Sequence, residues 1–474
     1  MAETLTPDLC VIGGGSGGLS VAAAAAQLGV KVVLIEHHKM GGDCLNYGCV
    51  PSKAMIAAGK RAHAIRTAEI FGVSASAPRI DHARLHDHIH GVIAAIAPND
   101  SIERFTGLGV RVITDSARFT DASTVTAGDV TIKARRFVIA TGSSPAAPPV
   151  EGLAEVPYFT NETIFDNQER MPELLVIGGG PIGMELAQAH MRLGSKVTVL
   201  EAFKALGKDD PELTSVVLDA LRREGLTILE GIRIERMEKT ATGICAHITE
   251  NGEARRVEGS HLLVAAGRKP NVDGLALEAA GIRFDGKGIK VNAGLKTSNS
   301  RVYAIGDVAG GLQFTHVANY HAGLVIRNAL FRLPVRNDTS AIPWVTYTEP
   351  ELAHVGLTET QAKEKHRKIR VLRWPYAEND RAQADRATEG FVKVVTASNG
   401  RILGASIVGE HAGELIQIWA FAVGRKMKIG ALTSMVVAYP TLAEISKRVA
   451  YTYYLPSLTN PWIRRIIRFL KLFG

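Results

Sequence analysis

Two stretches of the chain share one order of apolar and polar positions. In "LCVIGGGSGGLSVAAAAAQLGVKVVLIE" an apolar strand runs into glycines, a helix of small residues follows, and a second apolar strand ends at an acidic residue. The stretch "LLVIGGGPIGMELAQAHMRLGSKVTVLE" repeats this order. Strands that are apolar throughout and alternate with helices are typical of parallel strands covered on both faces. The pattern therefore predicts an internally duplicated α/β unit.

The last third of the chain has a different pattern. Short strands are predicted near 369–376, 390–397 and 401–409, with "SNGR" as the hairpin turn between the last two. Helices are predicted at about 412–424 and 428–438. Breaks rich in proline and small residues occur at 142–157, 267–274 and 332–344. The fold class that we predict is α/β, with two Rossmann-like dinucleotide-binding domains followed by a C-terminal α+β domain.

Composition narrows the class of protein. The chain has 474 residues, 46% hydrophobic and 22% charged, as in a globular protein of two to four domains. Its apolar runs are shorter than a membrane-spanning helix needs, and its start lacks the basic and apolar parts of a signal peptide. The cysteine count of four excludes a disulfide-rich scaffold. We therefore expect a protein of the reducing cytoplasm.

The net charge of +8 is concentrated in the segment 460–474, which contains no acidic residue. Its cations would share one face of a helix: Arg464, Arg465, Arg468 and Lys471. Its apolar residues would share the other: Trp462, Ile463, Ile466, Ile467, Leu470 and Phe473. Such a basic amphipathic tail predicts contact with an anionic membrane surface, the alternatives being docking on its own dimer or on another protein. A nucleic-acid groove is not indicated.

Both duplicated stretches carry the glycine spacing G-x-G-x-x-G. The first has Gly13, Gly15 and Gly18, with Glu36 at the end of the second strand. The second has Gly178, Gly180 and Gly183, with Glu201 at the end of the strand. The glycines allow a tight turn and close approach of a pyrophosphate to a helix N-terminus, while the acid can bind a ribose 2′-hydroxyl. Two dinucleotide sites are therefore predicted, and Glu201 favours NADH over NADPH, although Lys204 nearby weakens that preference.

Three further stretches fit the same sites. "FVIATGSSP" and "LLVAAGRKPN" are apolar strands that end at a glycine, suited to passing under a bound nucleotide. "RVYAIGDVAGG" places Asp307 after a strand and a glycine. A carboxylate there could hold a hydroxyl of a flavin's ribityl chain, or it could cap the helix that follows.

"GGDCLNYGCVPSK" at 41–53 holds two of the four cysteines, Cys44 and Cys49. A zinc site would need a second close pair, which the sequence lacks, and we predict no resident metal site. Residues five apart on a straight helix lie about 8 Å from each other, beyond the roughly 7 Å limit for a disulfide. A disulfide here requires a distorted backbone, which Asn46 and Gly48 tolerate. A strained bridge is easily reduced, and next to a redox cofactor it could relay electrons.

Together with "ATG", "AIGD" and the late "AYPTLAE", these motifs resemble those of the class I pyridine nucleotide–disulfide oxidoreductases over essentially the whole chain. That family includes dihydrolipoamide dehydrogenase, glutathione reductase and mercuric reductase. The resemblance implies FAD at the first glycine loop, NAD(P)H at the second, and a homodimer whose subunits share the active site. It implies an FAD domain at 1–150 and 272–340, an NAD(P)H domain at 151–271, a dimerisation domain at 341–459 and the tail at 460–474.

The resemblance also implies roles for individual residues. Cys49 is expected to contact the flavin and Cys44 to react with the substrate, while Lys53 pairs with Glu185 near the flavin, the alternative for this pair being an ordinary surface ion pair. The remaining expected FAD contacts are Gly13, Gly15, Ser16, Gly17, Gly18, Glu36, Gly42, Lys53, Ala117, Thr141, Gly142, Asp307, Thr315 and His316. The expected NAD contacts are Gly178, Gly180, Ile182, Gly183, Glu201, Ile234 and Gly267.

Tyr439 departs from the pattern of the dithiol enzymes in the family. Those enzymes carry histidine before Pro-Thr as a proton shuttle, whereas this chain has "AYPTLAE", with Glu444 in its usual place. Tyrosine has an ordinary pKa of about 10 and is a poor base. Mercuric reductase also carries tyrosine there, yet no cysteine follows Cys245 in this chain to match that enzyme's C-terminal pair. Tyr439 could also be an interface aromatic without a catalytic part.

The sequence therefore predicts an FAD-dependent oxidoreductase that passes electrons between NADH and an acceptor through Cys44–Cys49. The resemblance to the family favours dihydrolipoamide oxidation with NAD⁺, but Tyr439 makes this activity less expected. The alternatives are reduction of mercuric or other soft metal ions, and a flavoprotein redox sensor or adaptor at a membrane surface. The partner is expected to be a small molecule or a metal ion.

Overall fold

The computed structural model describes residues 3–473, which form two compact units. The first unit contains residues 3–179, 186–202 and 231–337, and the second contains 180–185, 203–230 and 338–473. Residues 1, 2 and 474, which the predicted domains include, lie outside the described part. No helix within residues 3–473 is long and apolar enough to cross a bilayer.

The strands and helices follow in chain order. The strands are β1 Glu3–Leu5, β2 Leu9–Ile12, β3 Val32–Glu36, β4 Arg111–Thr114, β5 Ala117–Asp121, β6 Thr124–Ala127, β7 Val130–Ile132, β8 Arg136–Ile139, β9 Ser143–Pro145, β10 Glu173–Ile177, β11 Lys196–Glu201, β12 Thr227–Glu230, β13 Arg233–Lys239, β14 Ile244–Glu250, β15 Glu253–Gly259, β16 His261–Val264, β17 Arg268–Pro270, β18 Phe284–Asp285, β19 Gly288–Ile289, β20 Val302–Ala304, β21 Trp344–Thr346, β22 Glu351–Gly356, β23 Ile369–Pro375, β24 Phe391–Ala397 and β25 Ile402–Gly409. The helices are α1 Ser16–Gln27, α2 Gly42–Asn46, α3 Cys49–Thr67, α4 His82–Ile96, α5 Ile102–Gly107, α6 Pro181–Arg192, α7 Pro211–Glu224, α8 Thr315–Ala329, α9 Glu359–Lys365, α10 Asp380–Ala384, α11 Ala412–Gly424, α12 Gly430–Thr433, α13 Glu444–Thr452, α14 Leu455–Leu458 and α15 Pro461–Leu470.

The first nucleotide sheet has the order β20-β8-β2-β3-β4, and every neighbouring pair is parallel. Its central strand β2 is fully buried, as its apolar sequence predicts. Cys10 lies in this strand, where burial raises its pKa and keeps the thiol away from solvent. The carboxyl ends of the strands meet at one edge of the sheet, which brings the first glycine loop, Glu36 and Asp307 to the same side.

The second glycine stretch forms the same kind of unit. Strand β10 pairs in parallel with β11 on one side and with β16 on the other. The structure also contains smaller sheets: the four-stranded sheet β1-β7-β6-β5, the antiparallel sheet β13-β14-β15, and the two-stranded pairs β9–β17 and β18–β19. The pair β9–β17 places Arg268 opposite Pro145 and Lys269 opposite Ser144. The predicted duplication of the dinucleotide unit is confirmed.

The C-terminal part of the second unit is an antiparallel sheet in the order β21-β22-β25-β24-β23. Helix α11 covers it with Trp419, whose side chain is fully buried and donates to Ser446 Oγ at 3.1 Å. The three predicted strands and the helix at 412–424 are confirmed. The helix predicted at 428–438 is wrong, because only α12, Gly430–Thr433, forms there. Two consecutive valines and the approach to Pro440 disfavour helical continuation.

Lys393 lies in the middle of β24 with only 4% of its side chain exposed. Its ammonium group contacts Asp210 at 2.7 Å, Glu212 at 2.8 Å and Glu359 at 2.8 Å. Arg373 adds a bidentate pair to Glu212 at 2.7 and 2.8 Å. In this charge cluster of the second unit Lys393 and Asp210 are nearly buried, whereas Glu212, Glu359 and Arg373 reach solvent. Each acid in the cluster has a cationic partner.

Candidate active site

Cys44 and Cys49 lie on two helices that meet at a sharp break. Helix α2 ends at Asn46, and helix α3 begins at Cys49 after Gly48, whose φ of −122° and ψ of −114° are non-helical. The two cysteines form no disulfide in the structure, and each shifts the pKa of the other. The predicted distortion is therefore present, but it lies at Tyr47 and Gly48. Asn46 remains helical and donates to the carbonyls of Met40 and Gly42 at 3.0 and 2.9 Å.

Cys49 is the thiol that ionises first. The hydrogen bond from Cys44 lowers its pKa most, with smaller contributions from the Thr315 hydroxyl and the Lys53 charge, to about 6, although burial opposes them. Its sulfur lies 3.6 Å from Thr315 Oγ1. The position at the start of the 19-residue helix α3 also favours a thiolate. The same hydrogen bond, together with burial, raises the pKa of Cys44.

A pH profile of alkylation tests this asymmetry. In the reduced protein, iodoacetamide should react with Cys49 with a midpoint near pH 6, because its lowered pKa of about 6 leaves the thiolate populated above that pH. Thr315→Val removes a hydrogen bond to the thiolate and should raise the midpoint by about one unit. Peptide mass spectrometry identifies the alkylated cysteine, and Thr297→Val serves as a control of the same chemistry. Preferential alkylation of Cys44 at pH 6 would contradict the assignment.

The cysteine segment is held by a polar network that the sequence did not predict. Asp43 accepts from Asn161 Nδ2 at 3.1 Å and contacts Arg268 Nη2 at 3.1 Å. Arg268 also donates to Ser143 Oγ and to the Ser143 carbonyl, both at 2.7 Å. Ser143 in turn donates to Asp307 Oδ2 at 2.6 Å. The network connects the residue beside Cys44 to the carboxylate that we assigned to the ribityl chain.

The first glycine loop has the shape that a pyrophosphate needs. Gly13 has φ +108°, and a Cβ there would lie 2.4 Å from the Ala140 carbonyl oxygen. A Cβ on Gly42 would lie 2.7 Å from Gly15 Cα, so the two backbones approach each other without side chains. Helix α1 begins at Ser16 with no side-chain cap, which leaves the N–H groups of its first turn facing the loop.

Glu36 and Glu201 each accept a hydrogen bond from the backbone of one glycine loop. The N–H of Gly14 donates to Glu36 Oε2 at 2.5 Å, and the N–H of Gly179 donates to Glu201 Oε2 at 2.6 Å. Gly178 repeats the geometry of its counterpart in the first loop, because it has φ +113° and a Cβ there would lie 2.5 Å from a backbone carbonyl oxygen. Each carboxylate retains lone pairs for a ribose hydroxyl.

A cavity of about 300 Å³ lies beside Glu36. Its walls include the side chains of His38, Met40, Ile102 and Thr114. The lining also includes Lys39, Asn46, Ser101 and a second carboxylate, Glu103, so the cavity is largely polar. Glu36 in its wall suits the ribose at the adenosine end of a dinucleotide. The bare glycine backbone, the uncapped helix start and this cavity together fit FAD.

The other predicted FAD residues lie on the first unit. Thr141 Oγ1 donates to the Asn271 carbonyl at 2.7 Å, and Gly142 has φ +69° directly before β9. Thr315 and His316 form the first turn of α8, and the ring of His316 stacks on Phe314 at 5.2 Å. The rest are Gly17 and Gly18, both buried in α1, and Ala117, which is 8% exposed at the start of β5.

The predicted NAD residues lie in α6, β11 and β13 and in the loops after β10 and before β17. Ile182 and Gly183 lie in the first turn of α6, directly after Gly180, and Ile182 is 40% exposed. Ile234 is half-buried in β13 opposite Ile248. Gly267 has φ +155°, and a Cβ there would meet no other atom within 4 Å. These contacts remain predictions.

Lys53 and Glu185 lie on different helices, α3 and α6. Lys53 is one turn along α3 from Cys49 and lies 3.4 Å from Ser52 Oγ. Glu185 is 6% exposed and accepts from the Tyr347 N–H at 2.9 Å. The ion pair between the two residues stays a prediction.

Tyr439 is 67% exposed, and its hydroxyl donates to Asp380 Oδ2 at 2.9 Å. The Asp380 carboxylate raises the pKa of Tyr439, and the charge of Glu444 adds to this. Glu444 begins helix α13 and lies 3.7 Å from Arg448 Nη2. Tyr439 is therefore a weaker acid than free tyrosine, and its hydroxyl stays protonated at neutral pH.

Two family models match the chain. The model described as pyridine nucleotide-disulphide oxidoreductase matches residues 7–322, and the dimerisation domain of the same family matches residues 342–450. The chain belongs to the pyridine nucleotide-disulphide oxidoreductase family. The resemblance inferred from the motifs is thereby confirmed. Members of this family bind FAD and use NAD(P)H, and the dimerisation domain supports a homodimer.

Similar proteins in this family include members of two enzyme groups. A mercuric reductase from Lysinibacillus sphaericus is 38% identical over 450 residues, covering 94% of this chain and 82% of the relative. A dihydrolipoyl dehydrogenase from Geobacillus stearothermophilus is 35% identical over 458 residues, covering 94% of this chain and 95% of the relative. Among solved structures, the Cu(II) complex of the HOCl-induced flavoprotein disulfide reductase RclA from Escherichia coli is similar, with a TM-score of 0.84 and 26% sequence identity. The match covers 93% of this chain and 99% of that structure's chain. This pyridine nucleotide-disulphide oxidoreductase is thus an FAD-dependent enzyme related to both groups.

Proposed function

We propose that the enzyme transfers electrons from NADH to a thiol-reactive acceptor through the Cys44–Cys49 pair. The environment of Cys49 supports this proposal most strongly, because Cys44, Thr315 and Lys53 lower the pKa of its thiol to about 6. FAD, when bound, supplies a two-electron carrier between the reduced nicotinamide and the disulfide. The first glycine loop, Glu36, Thr141 and Asp307 would hold it.

The two cysteines have different tasks in this proposal. Cys49 stays ionised against the hydroxyl of Thr315, which lies 3.6 Å from its sulfur. Cys44, with the raised pKa, keeps its proton until the acceptor arrives and then forms the bond to it. The network of Asp43, Asn161 and Arg268 fixes the backbone beside Cys44. Arg268 would therefore act as a positioning residue.

The preference for NADH rests on Glu201. Its carboxylate is fixed at the second glycine loop by the Gly179 N–H at 2.6 Å, and a 2′-phosphate at that position would meet its negative charge. Lys204 is exposed three residues later and opposes this effect. The small number of cysteines fits the cytoplasm as the compartment.

Tyr439 favours metal ions as a second candidate class of acceptor. Its hydroxyl donates to Asp380 and its pKa is raised, so it is a poor shuttle for the protons of a dithiol substrate. A thiophilic ion such as Hg(II) needs thiolates and no such shuttle. When the pair closes to a disulfide, it releases two electrons to Hg(II), giving Hg(0), and its remaining protons go to solvent. Relatives named mercuric reductase and a neighbour solved with Cu(II) support this class.

Steady-state kinetics with matched acceptors test the proposal. NADH and NADPH oxidation would be measured with lipoamide, a small disulfide, Hg(II) and Cu(II), at equal concentrations of flavin. We expect NADH to be the better donor and the metal ions to be the better acceptors. Turnover of lipoamide at the rate of a dehydrogenase would assign the enzyme to that group instead. Slow turnover with every acceptor would favour the sensor or adaptor function.

Tyr439→His should restore the missing proton shuttle. Turnover of lipoamide or of a small disulfide is expected to rise about 10- to 100-fold, because a positioned acid–base group contributes at least this much. Reduction of Hg(II) should change less than about twofold, since it does not depend on the shuttle. Tyr439→Phe is the matched control, because it removes the hydroxyl without adding a base. A histidine variant no faster than the phenylalanine variant would refute this account.

Helix α15, Pro461–Leu470, has the properties of a membrane-binding helix. The Asn460 side chain caps its start by accepting from the Trp462 N–H at 2.9 Å. Its apolar side chains are exposed, among them Trp462 at 69%, Ile466 at 55% and Phe473, just beyond the helix, at 74%. The tail carries cations and no acid, so its charge complements anionic phospholipid headgroups. We propose that it attaches the enzyme to the surface of an anionic membrane.

Vesicle co-sedimentation tests the tail. The full chain should sediment with vesicles that contain phosphatidylserine, and deletion of 460–474 should abolish this. Replacing the four tail cations by glutamine should weaken binding at least tenfold, as about 1 kcal/mol per cation implies. Replacing Lys426 and Lys428 by glutamine is the charge control. Equal binding by the deletion variant, or a deletion that changes only the oligomeric state, would refute membrane attachment.

A further inference from the structure

Helix α4 carries histidines at every fourth position, His82, His86 and His90, which places them along one helix face. The rings of His86 and His90 have centroids 4.1 Å apart. Asp166, at the end of the short 3₁₀ turn Ile164–Asp166, brings a carboxylate oxygen to 3.3 Å from His90 Nε2. One ligand atom from each of His86, His90 and Asp166 lies within 4.8 Å of the other two.

The distance between His90 and Asp166 matches one edge of a metal coordination shell, and the ligand atom of His86 lies within 4.8 Å of both. Ligand atoms bound at 2.0–2.1 Å to a tetrahedral ion lie about 3.3 Å from each other. His90 Nε2 lies 3.3 Å from Asp166 Oδ1 and 3.2 Å from the Phe165 carbonyl oxygen. Since both neighbours are acceptors, the nitrogen donates a proton between them here. A cation would take the place of that proton and satisfy the same oxygen atoms.

A further carboxylate lies where it could orient one of the ligands. His86 Nδ1 is 3.4 Å from Asp87 Oδ1, which leaves Nε2 of His86 for a metal. The side chains of His86, His90 and Asp166 are 19%, 38% and 67% exposed, so an ion can enter from solvent. Two imidazoles and one carboxylate suit Zn²⁺, Co²⁺, Ni²⁺ or Cu²⁺, whereas Mg²⁺ and Ca²⁺ prefer oxygen ligands alone.

We propose that His86, His90 and Asp166 bind one divalent transition-metal ion, Zn²⁺ being the representative of the class, with the fourth position open to water. The site is separate from the cysteine pair and consumes no electrons. The sequence did not indicate it, because Asp166 lies 76 positions beyond His90 and reaches the helix only through the fold.

The site would connect elements that surround the redox segment. Asn161, five residues before Asp166, is 8% exposed and donates to Asp43 and to the Tyr47 carbonyl, both at 3.1 Å. On the other side, His88 of α4 contacts the Ala54 carbonyl of helix α3 at 3.2 Å. A bound ion would therefore fix the segment 161–166 to α4 and support the backbone beside Cys44.

Titration with Co²⁺ tests the site directly. The flavin-loaded Cys44→Ser/Cys49→Ser protein is used, because the dithiol would otherwise bind the metal. Absorption difference spectra should show one equivalent of Co²⁺ in a tetrahedral or five-coordinate site, and Zn²⁺ should displace it. We expect Co²⁺ binding to weaken about 100-fold or more in the double variant His86→Gln/His90→Gln and also in Asp166→Asn. Loss of a residue that only hydrogen-bonds a metal ligand would weaken binding less than this. His366→Gln, a histidine change outside the cluster, should leave binding unchanged.

Thermal unfolding provides a second readout. Zn²⁺ at saturating concentration should raise Tm of the Cys44→Ser/Cys49→Ser protein and leave Tm unchanged when His86→Gln/His90→Gln is added to it. Absence of saturable binding at one equivalent would overturn the proposal. Equal affinity in the parent and in the His86→Gln/His90→Gln variant would overturn it as well, because the ion would then be bound elsewhere.

Discussion

Replacing either Cys44 or Cys49 by serine is expected to lower NADH-dependent reduction of every thiol-reactive acceptor by at least about 1000-fold, since removing a nucleophile typically has an effect of this size. A serine hydroxyl can neither ionise near neutral pH nor form the disulfide that releases two electrons. Rates would be measured at equal concentrations of bound flavin. This prediction has the largest expected effect because each thiol is required in every turnover.

Two controls separate this loss from a folding defect. Cys245→Ala changes a cysteine that is fully buried in β14, and activity per flavin should stay within about twofold because that thiol cannot reach an acceptor. Reduction of ferricyanide by NADH, which needs no thiol, should persist in Cys44→Ser and Cys49→Ser. Acceptor reduction at more than a tenth of the parent rate in either serine variant would show that electrons bypass the pair.

Replacing Lys393 by methionine is expected to destabilise the C-terminal sheet by about 3–5 kcal/mol, the usual effect of removing one partner from a buried ion pair. Asp210, whose side chain is 9% exposed, would keep its charge beside Glu212 and Glu359 without the ammonium group that contacts all three at 2.7 to 2.8 Å. Hydrogen–deuterium exchange of the amides in β23, β24 and β25 measures the effect locally, which avoids the assumption of two-state unfolding in a large flavoprotein.

Lys196→Met is the matched control for this substitution. Lys196 contacts Glu173 at 3.1 Å, but its side chain is 75% exposed, so less than about 1 kcal/mol should be lost. Acid should act on the same cluster, because hydrogen bonding from Arg373 lowers the pKa of Glu212 to about 2. The stabilisation is therefore complete above the ordinary glutamate pKa of about 4.3 and is lost as the pH falls toward 2. Equal destabilisation by Lys196→Met and Lys393→Met would contradict a special role of the buried cluster.

The parts of the molecule that local sequence determines were predictable. The glycine loops depend on backbone angles that glycine alone adopts easily, as the φ values of Gly13 and Gly178 illustrate, +108° and +113°. Apolar runs followed by small-residue helices likewise determine parallel strands. The separate roles of Cys44 and Cys49 come from the resemblance to the family and stay a prediction, whereas their opposite pKa shifts come from the fold.

Features that depend on contacts between distant residues were not predictable in this way. The network around Arg268 joins residues from five separate stretches, and the motif "GRKPN" indicated only a strand end. Asp380 is the partner of Tyr439, yet the two are 59 positions apart. The prediction of a second helix after α11 was wrong for a local reason. Two valines and the approach to a proline disfavour the helix more than the apolar periodicity favours it.

The central claim is that a thiolate at Cys49 stands in direct electronic contact with the bound flavin. Anaerobic titration of the purified holoenzyme with NADH, followed by visible absorption, tests it most directly. We predict that uptake of two electrons produces a long-wavelength thiolate-to-flavin absorption that is absent from Cys49→Ser and weakens in the parent as the pH falls below 6. The same absorption in Cys49→Ser, or none in the parent protein, would contradict the account.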